Sequence, residues 1–481
     1  MVGPTVSFLL PPSPHRHQVA HQARRNVKTV RAGGLVGFVP AHCRLRRRAR
    51  RAVTKAAAAG ADFVYGDSLH STDDRHEEPF QVLRPGWSPE RLRGHNYVGD
   101  VVFATDTVIA AAGGIELLAE ITAHDRSLRL AEHAQRHAHV AEFLYETDWN
   151  HAAPLADVEA VREHCIRTGI VATLDVDATP AVRVRRTLTS RPRVAVIVPT
   201  RGTRADVRGR ERVLAAGAIT SMRTTSTYPN LEFIAVVDHD TPADARREIE
   251  SAGGDALACI DYDRPFNFAE KVNIAAVHTD ADYLLLLNDD TEVVSPDIVE
   301  TMLSYFEDPG VGLVGPTLLY EDGTIQSAGH FFNPVPYDYY RGHPAEIPGA
   351  SNMLRVAREV SSVIAACALT PRALFEQVGG LCTKFPGNYN DIDYALKLRM
   401  AGKRTIWTPL AACHHFESKT REPVMKPADV AELGARWRDM LERDPYAHPA
   451  LQRYQFVWKS NRPGQRSVDE AVGPTAPIAS K

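Results

Sequence analysis

The sequence predicts an α/β fold built on a mostly parallel sheet flanked by helices. Three observations predict it. Continuous apolar runs rich in β-branched residues or leucine recur at 194–198, 231–237 and 283–287, as expected of strands whose two faces are both covered. Stretches of helical pattern separate the runs. Each run ends on polar residues, namely Pro199-Thr200-Arg201, Asp238 and Asn288-Asp289-Asp290. In open α/β sheets, ligands bind at these carboxyl ends of the strands.

The elements follow in order. Residues 1–18 form a Pro-containing, basic N-terminus. A first domain over 19–150 reads as a worn copy of the later half. Asn26-Val27-Lys28 leads to the apolar run 35–39 as Asn273-Ile274-Ala275 leads to 283–287. The glycine-bounded stretch 60–66 parallels 310–315, and Ala112-Gly113-Gly114-Ile115 parallels Val378-Gly379-Gly380-Leu381. Eleven positions after the second glycine of each pair stands an acid, Asp125 or Asp391. The shared order of these similarities points to an internal duplication. The copies differ where chemistry would be done. The first has Pro40-Ala41-His42 in place of Asn288-Asp289-Asp290, and Ser127 in place of Asp393. It also has no counterpart of the strand–helix–strand ahead of Asn273. A structural or acceptor-handling domain without its own catalysis is therefore expected.

Helices are expected over 44–59 and 155–167. A β-prone piece at 181–184 completes a connector spanning 151–190. In the second domain, 191–425, helices are expected at 210–222, 242–252 and 269–277. A C-terminal helical segment, 426–459, carries a helix over 428–442 that Asp444-Pro445-Tyr446 stops. From 460 to 481 the chain is polar, contains Gly and Pro, and reads as a flexible tail.

The 481 residues are 44% hydrophobic and 24% charged, with a formal net charge of −3, ordinary for a globular protein. Disordered, collagen-like and disulfide-stapled classes are excluded. The net charge conceals an asymmetry. Twelve Lys and Arg precede the first acidic residue, Asp62, and the remainder carries 44 basic against 59 acidic side chains. The bland reading of the basic stretch is solvated charge. The sharper one is attraction to an anionic membrane surface, worth about 1 kcal/mol per Lys or Arg near that surface. Nucleic acid ranks last, because no binding motif accompanies the charge. The six cysteines form no C-x-x-C pair and read as reduced thiols. No run approaches the ~20 apolar residues of a membrane span. A cytoplasmic protein, peripheral at the inner face of the plasma membrane, is the expectation.

Several segments resemble family-2 glycosyltransferases of the GT-A type: VAVIVPTR, VVDHDT, FNFAEKVN, LLLLNDDTEV, GTIQSAGH, FEQVGGL, GNYNDIDYALKLRMAG and HHFESKTR. The nearest subgroup is similar to rhamnosyltransferase-like enzymes of bacterial surface-polysaccharide assembly. These often carry two tandem GT-A-like domains and a DPYYNP-like motif, here Asp444-Pro445-Tyr446-Ala447-His448-Pro449. The resemblance covers about 193–421 and, more thinly, 26–131. It implies a GT-A catalytic domain preceded by a degenerate, truncated GT-A-like one. It also implies an inverting, metal-dependent transfer from a nucleotide-sugar donor to a hydroxyl of a glycan or lipid-linked acceptor. The alternatives are a catalytically inactive scaffold or polysaccharide-binding protein and, third, a nucleotidyltransferase.

The resemblance assigns residues. Asn288-x-Asp290 occupies the family's D-x-D slot. Asp290 would ligate a divalent cation, Mg²⁺ or Mn²⁺, while Asn288 or Asp289 meets the ribose or the cation's waters. Standing alone, Asn-Asp-Asp would read as a solvated turn. Asp238 would accept hydrogen bonds from base or ribose. Pro199, Thr200 and Arg201 would floor the nucleotide, or serve only as a turn. Asn273 falls near the donor, or is a helix Asn satisfied by backbone. Asp391 would be the general base. Asp393, two positions on, has a different role because i and i+2 diverge on a helix. It is placed on the acceptor side with Ala365 and Ala366, which stand where relatives often read T-G-A-C. Local capping by Asn390 and Asp393 is the competing reading. The helix N-terminus should lower the pKa of Asp391 and the surrounding acids should raise it. His415 is the expected further metal ligand, with His414 the runner-up.

Overall fold

The computed structural model describes residues 27–71, 79–148, 156–417 and 426–451. The Pro-containing N-terminus, Ser418 and the tail from 460 lie outside the described residues. The chain divides into two compact units. Unit 1 comprises 1–187, 348–358 and 445–481, and unit 2 comprises 188–347 and 359–444. The connector thus joins unit 1 and the C-terminal helix joins unit 2.

Unit 1 is a mixed sheet with helices. Its strands are β1 (Val27–Ala32), β2 (Leu35–Pro40), β3 (Cys43–Leu45), β4 (Phe63–Ser71), β5 (Phe80–Val82), β6 (Val102–Thr105) and β7 (His137–Asp148), in the order β1-β2-β6-β4-β7-β3 with β5 beside β4. Alternation along β4 sends Phe63 and Tyr65 into one apolar cluster and Val64 into the other. The hairpin β8 (Ala172–Val176) and β9 (Val182–Arg186) follows. Helix α1 spans Ala49–Ala58 rather than 44–59, because Cys43–Leu45 pairs with β7 as a strand. Asp67 is buried and accepts from the Arg84 backbone N–H, His139 Nε2 and His448 Nε2 at 3.0, 3.0 and 2.8 Å. His448 Nδ1 accepts from the Ala450 N–H, so its Nε2 carries the proton and donates. Burial opposes ionisation of Asp67, and the two imidazoles more than offset it, holding the carboxyl well below its ordinary range.

Helices α2 (Ala123–His133) and α3 (Val158–Thr168) meet through Glu132, which accepts from His164 Nδ1 at 2.7 Å and from both Nε and Nη2 of Arg167. Burial pushes the Glu132 carboxyl up, but His164 and Arg167 bring it down to about 2. Burial also lowers the His164 imidazole, leaving Arg167 as the cation of the cluster at neutral pH. A depressed carboxylate pKa stabilises above the unfolded-state value and loses that contribution as pH falls through the folded one. Glu132→Gln should therefore cost about 2 kcal/mol at neutral pH. The difference from wild type should fade as pH drops from about 4.5 towards 2. Urea unfolding across that range reads it.

Unit 2 holds the larger sheet. Its strands are β10 (Val194–Thr200), the hairpin β11 (Arg204–Val207) and β12 (Arg210–Val213), β13 (Leu231–Asp238), β14 (Leu257–Tyr262), β15 (Tyr283–Leu287), β16 (Thr291–Val293), β17 (Val311–Leu319), β18 (Ile325–Ser327), the hairpin β19 (His330–Phe332) and β20 (Pro336–Asp338), β21 (Arg358–Val360), β22 (Cys367–Pro371) and β23 (Arg404–His415). The sheet order is β14-β13-β10-β15-β22-β17-β23-β16. The first four strands are parallel. Beyond them the sheet is mixed, because β22 runs antiparallel between β15 and β17. The helices are α4 (Leu214–Thr225), α5 (Ala243–Gly253), α6 (Phe268–Ala276), α7 (Asn390–Met400) and α8 (Pro427–Glu442). Helix α4 begins four residues later than expected, since the polar Arg210-Glu211-Arg212 stretch pairs in a hairpin.

Each unit repeats one topology. In unit 1, β2-β6-β4-β7-β3 pair antiparallel, antiparallel, parallel, antiparallel. In unit 2, β15-β22-β17-β23-β16 pair in the same sequence of directions. On the far side of β2, the described residues of unit 1 supply the antiparallel β1 alone, where unit 2 has the parallel strands β10, β13 and β14. Among the described residues no helix is long and apolar enough to cross a membrane.

Candidate active site

The carboxyl ends of β10, β13 and β15 converge in unit 2. All seven residues of β10 are buried, Pro199 and Thr200 included. Thr200 Oγ1 donates to Asp289 Oδ2 at 2.7 Å and accepts from the Gly202 N–H at 2.9 Å. Arg201 is exposed, with Nε 3.4 Å from Asp238 Oδ2. Beneath them lies Lys271, a fully buried lysine of α6. Its Nζ donates to the Thr200 carbonyl at 2.7 Å and lies 2.5 Å from Asp238 Oδ1. Burial pushes the Lys271 ammonium down, while Asp238 and Asp289 hold a proton on it. The sequence reading had passed over Lys271. A signal was present, because Phe268, Lys271, Val272 and Ala275 fall on one helical stripe, and a lysine on a buried stripe needs an acid partner.

The second constellation follows β15. Asp290 Oδ1 and Asn288 Nδ2 each lie 3.2 Å from His415 Nε2. Pairing of β16 with β23 sets Thr291 opposite His415 and so fixes this approach. Strand alternation turns His414 the other way, its Nδ1 donating to the Tyr320 carbonyl at 2.9 Å. His415 Nδ1 donates to Gln326 Oε1 at 2.7 Å, and the Gln326 amide nitrogen is committed to the His415 carbonyl and Glu417. That network points Nε2 at Asp290, with the other ring nitrogen held by a hydrogen bond, as in histidines that ligate metals. Asn288 Oδ1 is buried without a hydrogen-bond partner. A buried carboxylate, an oriented imidazole and an unsatisfied amide oxygen fit a divalent cation. Burial, and then the Asp290 charge, push the Asp289 carboxyl up, as two adjacent acids require.

Asp391 lies in the first turn of α7. Its Oδ1 accepts from the Ile392 N–H at 2.8 Å and its Oδ2 from the Ala365 N–H at 3.3 Å. The next residue, Ala366, accepts at its carbonyl from the Asn288 N–H at 2.9 Å. Two consecutive residues thus tie Asp391 to the Asn288–Asp290 turn. Burial raises the Asp391 carboxyl above the ordinary value, against His330 and the two backbone donors.

Two expected site residues are engaged elsewhere, and the competing capping reading of Asn390 fails. Asp393 does not face the acceptor side. It is fully buried, and its Oδ1 accepts from Arg436 Nε at 2.9 Å and Trp437 Nε1 at 2.8 Å, anchoring α8. The divergence of i and i+2 around a helix sends it away from Asp391. Asn390 is not the cap of α7, which Tyr389 opens in the left-handed conformation at φ 66°. Asn273 does not reach for a donor. Its amide clasps Leu381, donating to the carbonyl and accepting from the N–H, both at 2.8 Å. Gly380 permits this, since a Cβ there would lie 2.5 Å from Asn273 Oδ1.

In unit 1 the positions corresponding to this site carry other chemistry. After β2, His42 Nε2 lies 3.4 Å from Asp100. Asp125, the counterpart of Asp391, pairs with Arg129 at 3.0 Å.

Residues 192–439, a little over half of the chain, match the profile of a family described as "Glycosyltransferase like family 2". The O-antigen biosynthesis protein RfbC of Myxococcus xanthus is 30% identical over 442 residues, covering 87% of this chain and 34% of its own length. The uncharacterized protein y4gI of Sinorhizobium fredii is 31% identical over 414 residues, covering 79% and 44%. The chain therefore spans less than half the length of either relative. Solved structures with similarity include the mannosyltransferase PcManGT from Pyrobaculum calidifontis in complex with GDP-Man and Mn²⁺, at 22% identity and TM-score 0.34, covering 52% of this chain and 63% of that one. Another is GalNAc-T7 with UDP, GalNAc and Mn²⁺, at 12% identity and TM-score 0.41, covering 55% and 52%. The family match takes in Thr200, Asp238, Asn288, Asp290, Asp391 and His415 together, and the chain belongs to the glycosyltransferase-like family 2.

Proposed function

We propose that unit 2 transfers a sugar from a nucleotide-sugar to a hydroxyl of a glycan or lipid-linked acceptor in surface-polysaccharide assembly, by one in-line displacement with inversion. The observation that carries this reading is the link through Ala365 and Ala366, which fixes Asp391 to the turn bearing Asn288 and Asp290. Leaving-group and acceptor chemistry then share one rigid frame. Asp238 accepts from base or ribose, with Lys271 and Arg201 holding it. Pro199 and Thr200 floor the nucleotide, and Asn288 or Asp289 meets the ribose or the cation's waters. Asp290 and His415 would hold a divalent cation, Mg²⁺ or Mn²⁺, which when bound offsets the charge left on the departing diphosphate. The mixed imidazole and carboxylate donors suit Mn²⁺ as well as Mg²⁺. Asp391 takes the proton of the attacking hydroxyl. Its raised pKa makes it a better base than an exposed carboxylate.

Unit 1 serves as a degenerate GT-A-like domain without catalysis. It shares the strand order β15-β22-β17-β23-β16 of unit 2 and has no carboxylate in the slot that the sequence sets against Asp290. Exposed Arg47, Arg48, Arg50, Arg51 and Lys55 on and beside α1 support attachment to an anionic membrane at the cytoplasmic face, where a lipid-linked acceptor resides. The relative named for O-antigen biosynthesis supports the pathway class.

A panel of UDP-, GDP- and dTDP-sugars tests the reading. One donor class should be slowly hydrolysed when Mg²⁺ or Mn²⁺ is supplied, with an anomer opposite to the donor's. No turnover of any donor, with or without acceptor lipid, would count against it, and retention of the donor's anomer would sink inversion.

A further inference from the structure

Beside Asp391, unit 2 buries an acid–base pair that the transfer scheme leaves unused. His330 opens the β19–β20 hairpin and is paired in register with Asp338. Its imidazole Nε2 lies 3.4 Å from Asp338 Oδ2. The residue is 7% exposed, and its Nδ1 and Asp338 Oδ1 are both buried without a hydrogen-bond partner. The backbone clamps His330 to Ser361 and Ser362, just ahead of Ala365, whose N–H meets the Asp391 carboxylate. The His330 N–H donates to the Ser362 carbonyl at 2.8 Å, and the Ser361 N–H donates to the His330 carbonyl at 3.0 Å. Ser362 Oγ in turn reaches the Asp391 carbonyl at 3.4 Å. Asp338 is the acid in contact with the imidazole, and the charges of Asp391 and Arg341 also act on it.

Two carboxylates and one imidazole in a buried space are stable when the imidazole is charged, since either acid alone in a low dielectric is costly. We propose that His330, anchored by Asp338, is a positioning residue for Asp391, supplying the positive charge that keeps the Asp391 carboxylate ionised beside the acceptor hydroxyl. The proposal rests on the reading of Asp391 as the general base. The electrostatics agree with it. Burial opposes a proton on His330, and Asp338 and then Asp391 more than restore it. Burial raises the Asp391 carboxyl, and His330 is the foremost influence holding it down. Arg341 lowers the imidazole slightly and is itself engaged by Glu417 at 2.8 Å.

The test is the pH profile of kcat/KM for the full chain, measured with donor, acceptor and saturating Mn²⁺ between about pH 5 and 9. His330→Gln removes the charge and should move the acid limb up by roughly one pH unit, so that activity falls more at low pH than at high pH. Nucleoside-diphosphate affinity should not change. Asp338→Asn removes the anchor that keeps the imidazole protonated and also its own charge, which raises Asp391. Because His330 acts on Asp391 more strongly than Asp338 does, the limb should still move up, by less than in His330→Gln. It supplies the readout if His330→Gln does not fold. A limb that coincides with wild type, or profiles flat in both proteins, overturns the proposal, even where the rate falls uniformly. Asp391→Asn separates the two readings. An inactive Asp391→Asn protein with an unmoved His330→Gln limb removes only the role of His330. An active one removes the base assignment and this proposal with it.

Discussion

Asp290→Ala is expected to lower sugar transfer about a thousandfold, ~4 kcal/mol of barrier, with folding intact. Asp290 Oδ1 lies 3.2 Å from His415 Nε2, in a turn whose Asn288 Oδ1 is buried without a hydrogen-bond partner. Without it, imidazole and amide alone must retain a doubly charged cation, which hard-cation chemistry disfavours. Stability should change little. The substitution removes repulsion with Asp289, which the upward push on that carboxyl records, and it also removes the partner of His415. The two effects oppose each other. The backbone contact from the Phe416 N–H to the carbonyl of residue 290, at 2.8 Å, is kept. Steady-state transfer assays and thermal melting read the two quantities separately. Full activity at any supplied Mn²⁺ concentration would remove Asp290 from the metal site.

Asp391→Asn is expected to lower kcat by 10²- to 10⁴-fold, the usual span for loss of a general base, while the affinity for donor is unchanged. The amide is isosteric, and its one oxygen can keep the closer of the two backbone donors, the Ile392 N–H at 2.8 Å, while the longer contact from the Ala365 N–H at 3.3 Å is given up. It cannot take a proton. Because burial raises the carboxyl of Asp391, the folded state carries a cost for that charge above its pKa. The neutral amide should therefore leave the melting temperature unchanged or slightly higher. In the wild-type enzyme, activity should fall as pH drops through a value above the ordinary carboxylate range, because only the ionised form accepts the hydroxyl proton. Retained transfer in the Asp391→Asn protein would assign the base elsewhere.

Much of the parallel half of unit 2 was legible in the sequence. Runs such as 194–198 and 283–287 are buried on both faces, so composition alone marks them, and the polar residues that end them mark the ligand edge. The elements that were missed depend on distant partners. Arg210–Val213 looked helical because α4 follows directly, and only its pairing with Arg204–Val207 makes it a strand. The antiparallel β22 owes its place to Leu287 and Val314, far away in sequence. The same limit applies within the site. The family resemblance proposed Asp290, Asp391 and His415, but a motif does not tell which way a side chain points. Strand alternation separated His415 from His414. Helical divergence took Asp393 to Arg436 and Trp437. The amide of Asn273 was absorbed by Leu381. Gln326 carries no signature of its own, since the imidazole that it orients lies on another element, and Lys271 shows only as a lysine on a buried helical stripe, with nothing to say which acid it meets.

The central claim is that unit 2 holds a nucleoside diphosphate through a cation at Asp290 and His415. Calorimetric titration of UDP, GDP and dTDP into the full chain, with Mn²⁺ and again with excess chelator, tests it most directly. Binding of one nucleotide with Mn²⁺, lost with chelator and lost in Asp290→Ala, is the predicted result. Equal affinity with and without the cation, or no binding of any of the three, would contradict it.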